Sequence, residues 1–165
     1  MKSNAALIPD TIITGEQLYS EAISFILENA QRELLIFDQD LSHGDFASLE
    51  KYHLLYRFLS ANVASELKII LQDARFFQTK CPRLCNLLEI YGHKMSLHVT
   101  DSSVRHIKDC FILADGKNYI KRIHIDQARF KYAINDEASA EVLHNRFMER
   151  TTAIVDIVQT NPQGL

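Results

Sequence analysis

A helix with one apolar face, followed at once by a short apolar strand, recurs three times in the first hundred residues, and this pattern constrains the fold most. Tyr19, Ala22, Ile23, Ile26, Leu27 and Ala30 fall at helical spacing. They lead into Glu33-Leu34-Leu35-Ile36-Phe37-Asp38, the kind of run carried by a strand covered on both faces. Thr14-Gly15-Glu16-Gln17 reads as a capping box for this helix, with Thr14 as N-cap and Gln17 at N3. Tyr52, Leu55, Tyr56, Leu59 and Val63 mark one face of a second helix. Leu67-Lys68-Ile69-Ile70-Leu71 is the strand that follows, ending near Asp73. The third helix opens with Pro82, places Leu84, Leu87, Leu88 and Tyr91 on one face, and stops at Gly92. Met95-Ser96-Leu97-His98-Val99 alternates, as a half-exposed strand does.

After a polar stretch the pattern changes. Strands are predicted near 109–114, 118–125 and 128–134, the first two joined by a turn at Asp115-Gly116-Lys117-Asn118. A last helix near 136–149 uses Ala140, Leu143 and Phe147, and residues 153–158 lean towards a strand. Alternation followed by a meander predicts an α/β fold, a mixed β-sheet flanked by helices. The 165 residues suit one domain with a full-sized core. Five Gly and three Pro leave little room for linkers. The chain divides into an N-terminal extension (1–14), one domain (15–158) and a C-terminal tail (159–165).

No apolar run approaches the roughly 20 residues needed to cross a bilayer, so no membrane partner is expected. The stretch before Pro9 carries no apolar core of a signal peptide. Three cysteines, an odd number, point to reduced thiols and a cytoplasmic protein. The net charge of −3 is uneven. Arg105, Lys108, Lys117, Lys121, Arg122, Arg129 and Lys131 stand against Asp109, Asp115 and Asp126, a local charge of about +4 that leaves about −7 elsewhere. Such a segment is either an anion site or a solvated hairpin edge.

Residues 108–116 read Lys-Asp-Cys-Phe-Ile-Leu-Ala-Asp-Gly. This resembles the signature strand of the phospholipase D superfamily, which opens with His-x-Lys, runs through four mostly apolar residues and closes in Asp-Gly. Asn135, Asp136, Ala140, Leu143 and Phe147 occupy places that family members also fill, and the resemblance spans roughly residues 15–150. It implies one phospholipase D-like half-domain. It also implies a site built from two halves, hence a homodimer for a chain of this length. In the family a histidine attacks phosphorus and a lysine steadies the phosphoryl oxygens.

Aligned on Asp115-Gly116, the histidine position holds Lys108 and the lysine position Cys110. An unperturbed lysine stays protonated at neutral pH and is a poor nucleophile. A cysteine supplies neither the lysine's charge nor its hydrogen bonds. The Gly-Ser that often follows is replaced by Lys121-Arg122-Ile123. The expectation is therefore no catalytic residue, with Lys108, Cys110 and Asp115 vestigial. A rival frame uses His106-Ile107-Lys108 as a literal His-x-Lys, with six residues instead of four before Asp115 and a bulge to absorb the extra pair. It makes His106 the alternative catalytic residue.

In a regular strand, Lys108, Cys110, Ile112 and Ala114 share one face, with Asp109, Phe111 and Leu113 on the other. Ile120, Arg122 and His124 share a face of the next strand. Arg122 and His124, with Lys108 and Arg129, form the expected ligand-binding set for a phosphate-containing ligand or nucleic acid. The competing reading pairs Arg122 with Asp115 or Asp126. Cys81 and Cys85 have a chelating spacing but read better as core thiols. Asp38, Asp40 and Asp73, at strand ends, are accounted for by caps and turns as well as by a metal. No metal and no cofactor are expected, and no Gly-rich phosphate loop or Gly-x-Ser-x-Gly elbow occurs. The reading is a catalytically inactive binding or interaction module of the bacterial cytoplasm. Two alternatives stand beside it: a homodimeric phosphodiesterase or nuclease with a shifted motif, and a structural partner subunit without ligand.

Overall fold

The structure, a computed structural model, describes residues 7–104, 107–108, 110–124 and 126–159, with His124 by its backbone alone. Three apolar strands, β2 (Glu33–Asp38), β3 (Glu66–Leu71) and β4 (Met95–Thr100), run parallel. Parallel neighbours need crossovers. α2 (Leu49–Ala61) makes the first, and α3 (Arg75–Lys80) with α4 (Pro82–Ile90) the second. β5 (Cys110–Ala114) then returns antiparallel on the far side of β2, and β6 (Asn118–His124) and β7 (Arg129–Ala133) continue the meander. Short strands close the edges: β1 (Ile13–Thr14) on β7 and β8 (Ile154–Ile157) on β4. Among the described residues the sheet has eight strands in the order β1-β7-β6-β5-β2-β3-β4-β8. The fold is the expected α/β mixed sheet flanked by helices, and the stretch near 153–158 is a strand.

Strand periodicity sorts the side chains into two cores. Leu34, Ile36, Ile69, Ile112, Ala114, Ile120 and Phe130 share a core with α1 (Glu16–Asn29), α2 and α4. Leu35, Phe37, Ile70, Phe111, Leu113, Tyr119 and Ala133 share the other with Ala140, Leu143 and Phe147 of α5 (Glu137–Arg150). The β5–β6 turn has Asp115 at φ 56° and Gly116 at φ 66°. Two successive left-handed residues make the primed turn whose twist matches a hairpin.

Three local expectations change. Thr14 belongs to β1, and Gly15 caps α1 with φ 130° and no side-chain cap bond, so the capping box does not form. Pairing of Ile13-Thr14 with β7 holds that backbone extended up to the helix. The buried face of α2 is Lys51, Leu55, Phe58 and Leu59. Tyr56 lies at the surface, its ring stacked on Tyr52 and edge-on to Tyr91. Val63 lies past the end of α2 and is 95% exposed. α3 was not expected; with six residues and one buried side chain, Phe77, it is too short to show periodicity.

Candidate functional site

β5 and β6 place Cys110 directly opposite Arg122. Both side chains lie under α1, where Tyr19 covers them. The tyrosine hydroxyl is 3.9 Å from the Cys110 thiol, and its ring lies 4.8 Å below the Arg122 guanidinium carbon. Asp38, at the end of β2, completes the group. Its carboxylate accepts the Leu41 N–H at 2.8 Å and a hydrogen bond from Cys110. Cys110, Tyr19, Asp38 and Arg122 are all buried, Arg122 completely.

This enclosure sets the chemistry. Burial first, and then the charge of Asp38, push the Cys110 thiol well above its ordinary value. It stays protonated at neutral pH and is no thiolate nucleophile. Burial also raises the Asp38 carboxyl, against the hydrogen bonds from Cys110, Gln39 and Leu41, and raises Tyr19 strongly.

Arg122 reaches out of this core towards the start of α1. Its two terminal nitrogens donate to the two carboxylate oxygens of Glu16, at 3.0 and 2.8 Å, and His43 Nδ1 stands 3.5 Å from the same carboxylate. The Arg122 hydrogen bonds, despite some desolvation, hold the Glu16 carboxyl below its usual range. Glu16 is also the first residue of α1, where a negative charge suits the helix dipole. The competing sequence reading pairs Arg122 with Asp115 or Asp126; the carboxylate that forks it is Glu16. Asp115 accepts the backbone N–H groups of Gln31, Arg32 and Glu33 at 3.0, 2.7 and 2.9 Å. It ties the entry of β2 to the hairpin turn.

Lys108 precedes β5 and lies apart from this group. It lines a cavity of about 650 Å³ at the ends of β2, β3 and β4, together with Gln39, Asp40, Gln72, Asp73, Arg75 and Asp156. Asp73 is bound by Arg75 at 2.6 Å and Asp40 by Ser42 at 2.6 Å. Gln72 donates to the carbonyls of Val104 and Ile107 at 2.9 and 3.0 Å, anchoring the approach to Lys108. Arg129 is exposed on β7, opposite His124 across an irregularity in the ladder. Of the four cations expected to act together, Arg122 is in the core, Lys108 at this cavity and Arg129 on the outer hairpin. His106 lies outside the described residues, as does the side chain of His124.

The Cys85 thiol donates to the Phe77 carbonyl at 3.4 Å, and burial, with the neighbouring Cys85, pushes Cys81 up to about 11. Among the described residues no group of three or more His, Cys, Asp or Glu side chains could hold a metal ion, and no helix is long and apolar enough to cross a membrane. The sequence reading missed Glu16 as a site residue and the role of Tyr19. The first-turn acid was visible; its partner 106 residues away was not.

Solved structures show what the fold resembles. The archaeal chromatin protein TrmBL2, reported with a novel mode of DNA binding, superposes with a TM-score of 0.68 at 14% identity over 94% of this chain and 56% of that one. This chain therefore spans just over half its length. Nuc from Salmonella typhimurium, a phospholipase D family member, gives 0.64 at 11% identity over 91% of this chain and 99% of that one. NucT from Helicobacter pylori gives 0.59 at 10% identity over 88% and 97%. These likenesses establish a phospholipase D-like fold. No curated protein matches in sequence. Residues 16–151 match the family described as Domain of unknown function (DUF7931), and the chain belongs to that family.

Proposed function

We propose that the chain is a non-catalytic binding module on a phospholipase D-like half-domain, taking a phosphate-containing ligand and working as a twofold homodimer. The observation that carries the inactive reading is Cys110. It occupies the lysine position of the signature, is 2% exposed, and is enclosed by Tyr19, Asp38 and Arg122. A phosphoryl group has no access to it there. Arg122 is committed to Glu16, so its charge stabilises the packing of α1 on the sheet. The cavity beside Lys108 carries two cations against three carboxylates, which does not favour a polyanion.

The phosphate part of the reading rests on the excess of basic residues across the β5–β7 hairpins. That a fold neighbour is a DNA-binding chromatin protein keeps nucleic acid as a second ligand class. The dimer follows from the family's two-half architecture, since an isologous contact supplies the second half. Sedimentation at micromolar concentration is expected to give twice the chain's 18.9 kDa; a clean monomer removes the dimer. The inactive reading is tested with bis-(p-nitrophenyl) phosphate, DNA and phospholipid. No turnover above the blank is expected. Turnover lost in a His106→Ala, His124→Ala double variant means that the shifted-motif phosphodiesterase is the correct reading.

A further inference from the structure

The opposite face of the same hairpin holds a different kind of cleft. Lys121 of β6 and Lys131 of β7 stand directly opposite each other in the ladder. Lys121 also pairs with Phe111, and alternation puts both lysines on the α5 side, away from Arg122. With Arg146 and Ser139 of α5 they line a cavity of about 400 Å³ whose remaining wall is Tyr119, Ile123, Val142 and Leu143. Among the described residues no carboxylate lines it, in a protein with 21 acidic residues.

Two lysines directly opposed on adjacent strands repel each other, and Arg146 adds a third positive charge within the same walls. Among the described residues, Asp136, the N-cap of α5, is an acid that feels the charge of Lys131. Its carboxylate is taken by the Ser139 N–H at 3.1 Å; that bond, more than the charge of Lys131, holds its pKa down. Arg146 has a further contact of its own, so the attraction for an anion rests on the two lysines. The sheet holds their backbones in fixed register, and both side chains are half-buried. The field at the cleft floor is therefore positive, partly desolvated and pre-organised, which strengthens attraction for an anion.

The rest of the wall narrows the ligand. Val142 is 57% exposed beside the cations, and the apolar groups of Ile123, Leu143 and Tyr119 continue from it. We infer that the cleft between the β6–β7 hairpin and α5 binds a small phosphate monoester, the phosphate on Lys121 and Lys131 and an apolar or aromatic body against Val142 and Ile123. This rests on the binding-module reading above and moves its ligand from the signature face to the α5 face. A phosphate monoester is close to a dianion at neutral pH, which suits two adjacent ammonium groups.

The test titrates inorganic phosphate and phenyl phosphate by calorimetry and amide NMR at low salt. The proteins are wild type, Lys121→Gln/Lys131→Gln, Lys121→Arg/Lys131→Arg and Lys117→Gln. Lys117 is an exposed cation on the β5–β6 turn, outside the cleft. Phenyl phosphate should bind wild type more tightly than inorganic phosphate, with shifts at residues 119–123, 131 and 139–146. The double Gln variant should lose about 10-fold or more in affinity, while the double Arg variant and Lys117→Gln bind as wild type does. Circular dichroism of each variant checks folding. Undiminished binding in a folded double Gln variant overturns the cleft and leaves the binding-module reading standing. Absence of saturable binding to wild type overturns the cleft and removes the phosphate ligand from the module, whose lack of turnover is judged separately.

Discussion

Arg122 and Glu16 meet as a two-bond fork at 3.0 and 2.8 Å, the arginine wholly buried and the glutamate half in water. The pair closes the group of Asp38, Cys110 and Tyr19 on its outer side and joins α1 to the central hairpin. A buried guanidinium without its carboxylate is costly, so this contact is structural first.

Glu16→Ala should lower stability by about 2 kcal/mol, and Glu16→Gln, which keeps one acceptor, by about 1 kcal/mol. The half-exposed glutamate lets water replace part of the bond, which keeps the cost below that of a fully buried pair. The folded carboxyl lies below its unfolded value because of Arg122. Its stabilisation is therefore full above the unfolded pKa, near 4.5, and lost as pH falls through the lower folded value. Urea denaturation of wild type and Glu16→Gln should show a gap at pH 7 that narrows below about pH 4.5. A gap independent of pH contradicts this.

Asp115 binds three consecutive amides. Asp115→Ala should cost about 2 kcal/mol and speed hydrogen exchange at Gln31, Arg32 and Glu33 before the rest of β2. Exchange that rises uniformly through the sheet means that the carboxylate is not the local tie. By resemblance this is the closing Asp of a catalytic signature; its contacts here are those of a backbone clamp.

The architecture was legible because each element announced itself locally. Glu33–Asp38 and Pro82–Ile90 carry their own boundaries in charge, proline and apolar spacing. The two-sided split of Ile112 and Ala114 from Phe111 and Leu113 follows from strand period alone. The site was less legible because its partners are tertiary. Nothing in the sequence around Arg122 names Glu16, and nothing around Lys51 marks it for burial against Ser20 of α1. The α2 face shows the same difficulty: Tyr52, Leu55, Tyr56 and Leu59 fit a helical face, yet burying Lys51 and Phe58 turned the helix away from that choice.

Lys51 has no exposed surface; its ammonium donates to Ser20 Oγ at 2.9 Å and lies 3.6 Å from Glu50. Burial lowers its pKa, against the charges of Glu50 and Asp45. The unfolded chain then holds this proton to higher pH than the folded one, so stability rises with pH between the folded and unfolded values. Lys51→Met removes the buried charge at similar size. Its stability relative to wild type should be greatest at neutral pH and decline towards pH 10 in parallel denaturation curves. A constant difference contradicts a depressed lysine.

The central claim is that the signature strand is sealed into the core, and the protection of Cys110 tests it most directly. Native protein at neutral pH is treated with N-ethylmaleimide, quenched, digested and read by mass spectrometry, with a urea-unfolded sample as reference. The half-buried Cys85 should label first, and Cys110 should stay unlabelled until the protein unfolds, because its thiol is both enclosed and held protonated. Labelling of Cys110 in the native protein at the rate of a free thiol would contradict the account, since the position would then be open to solvent and to a substrate.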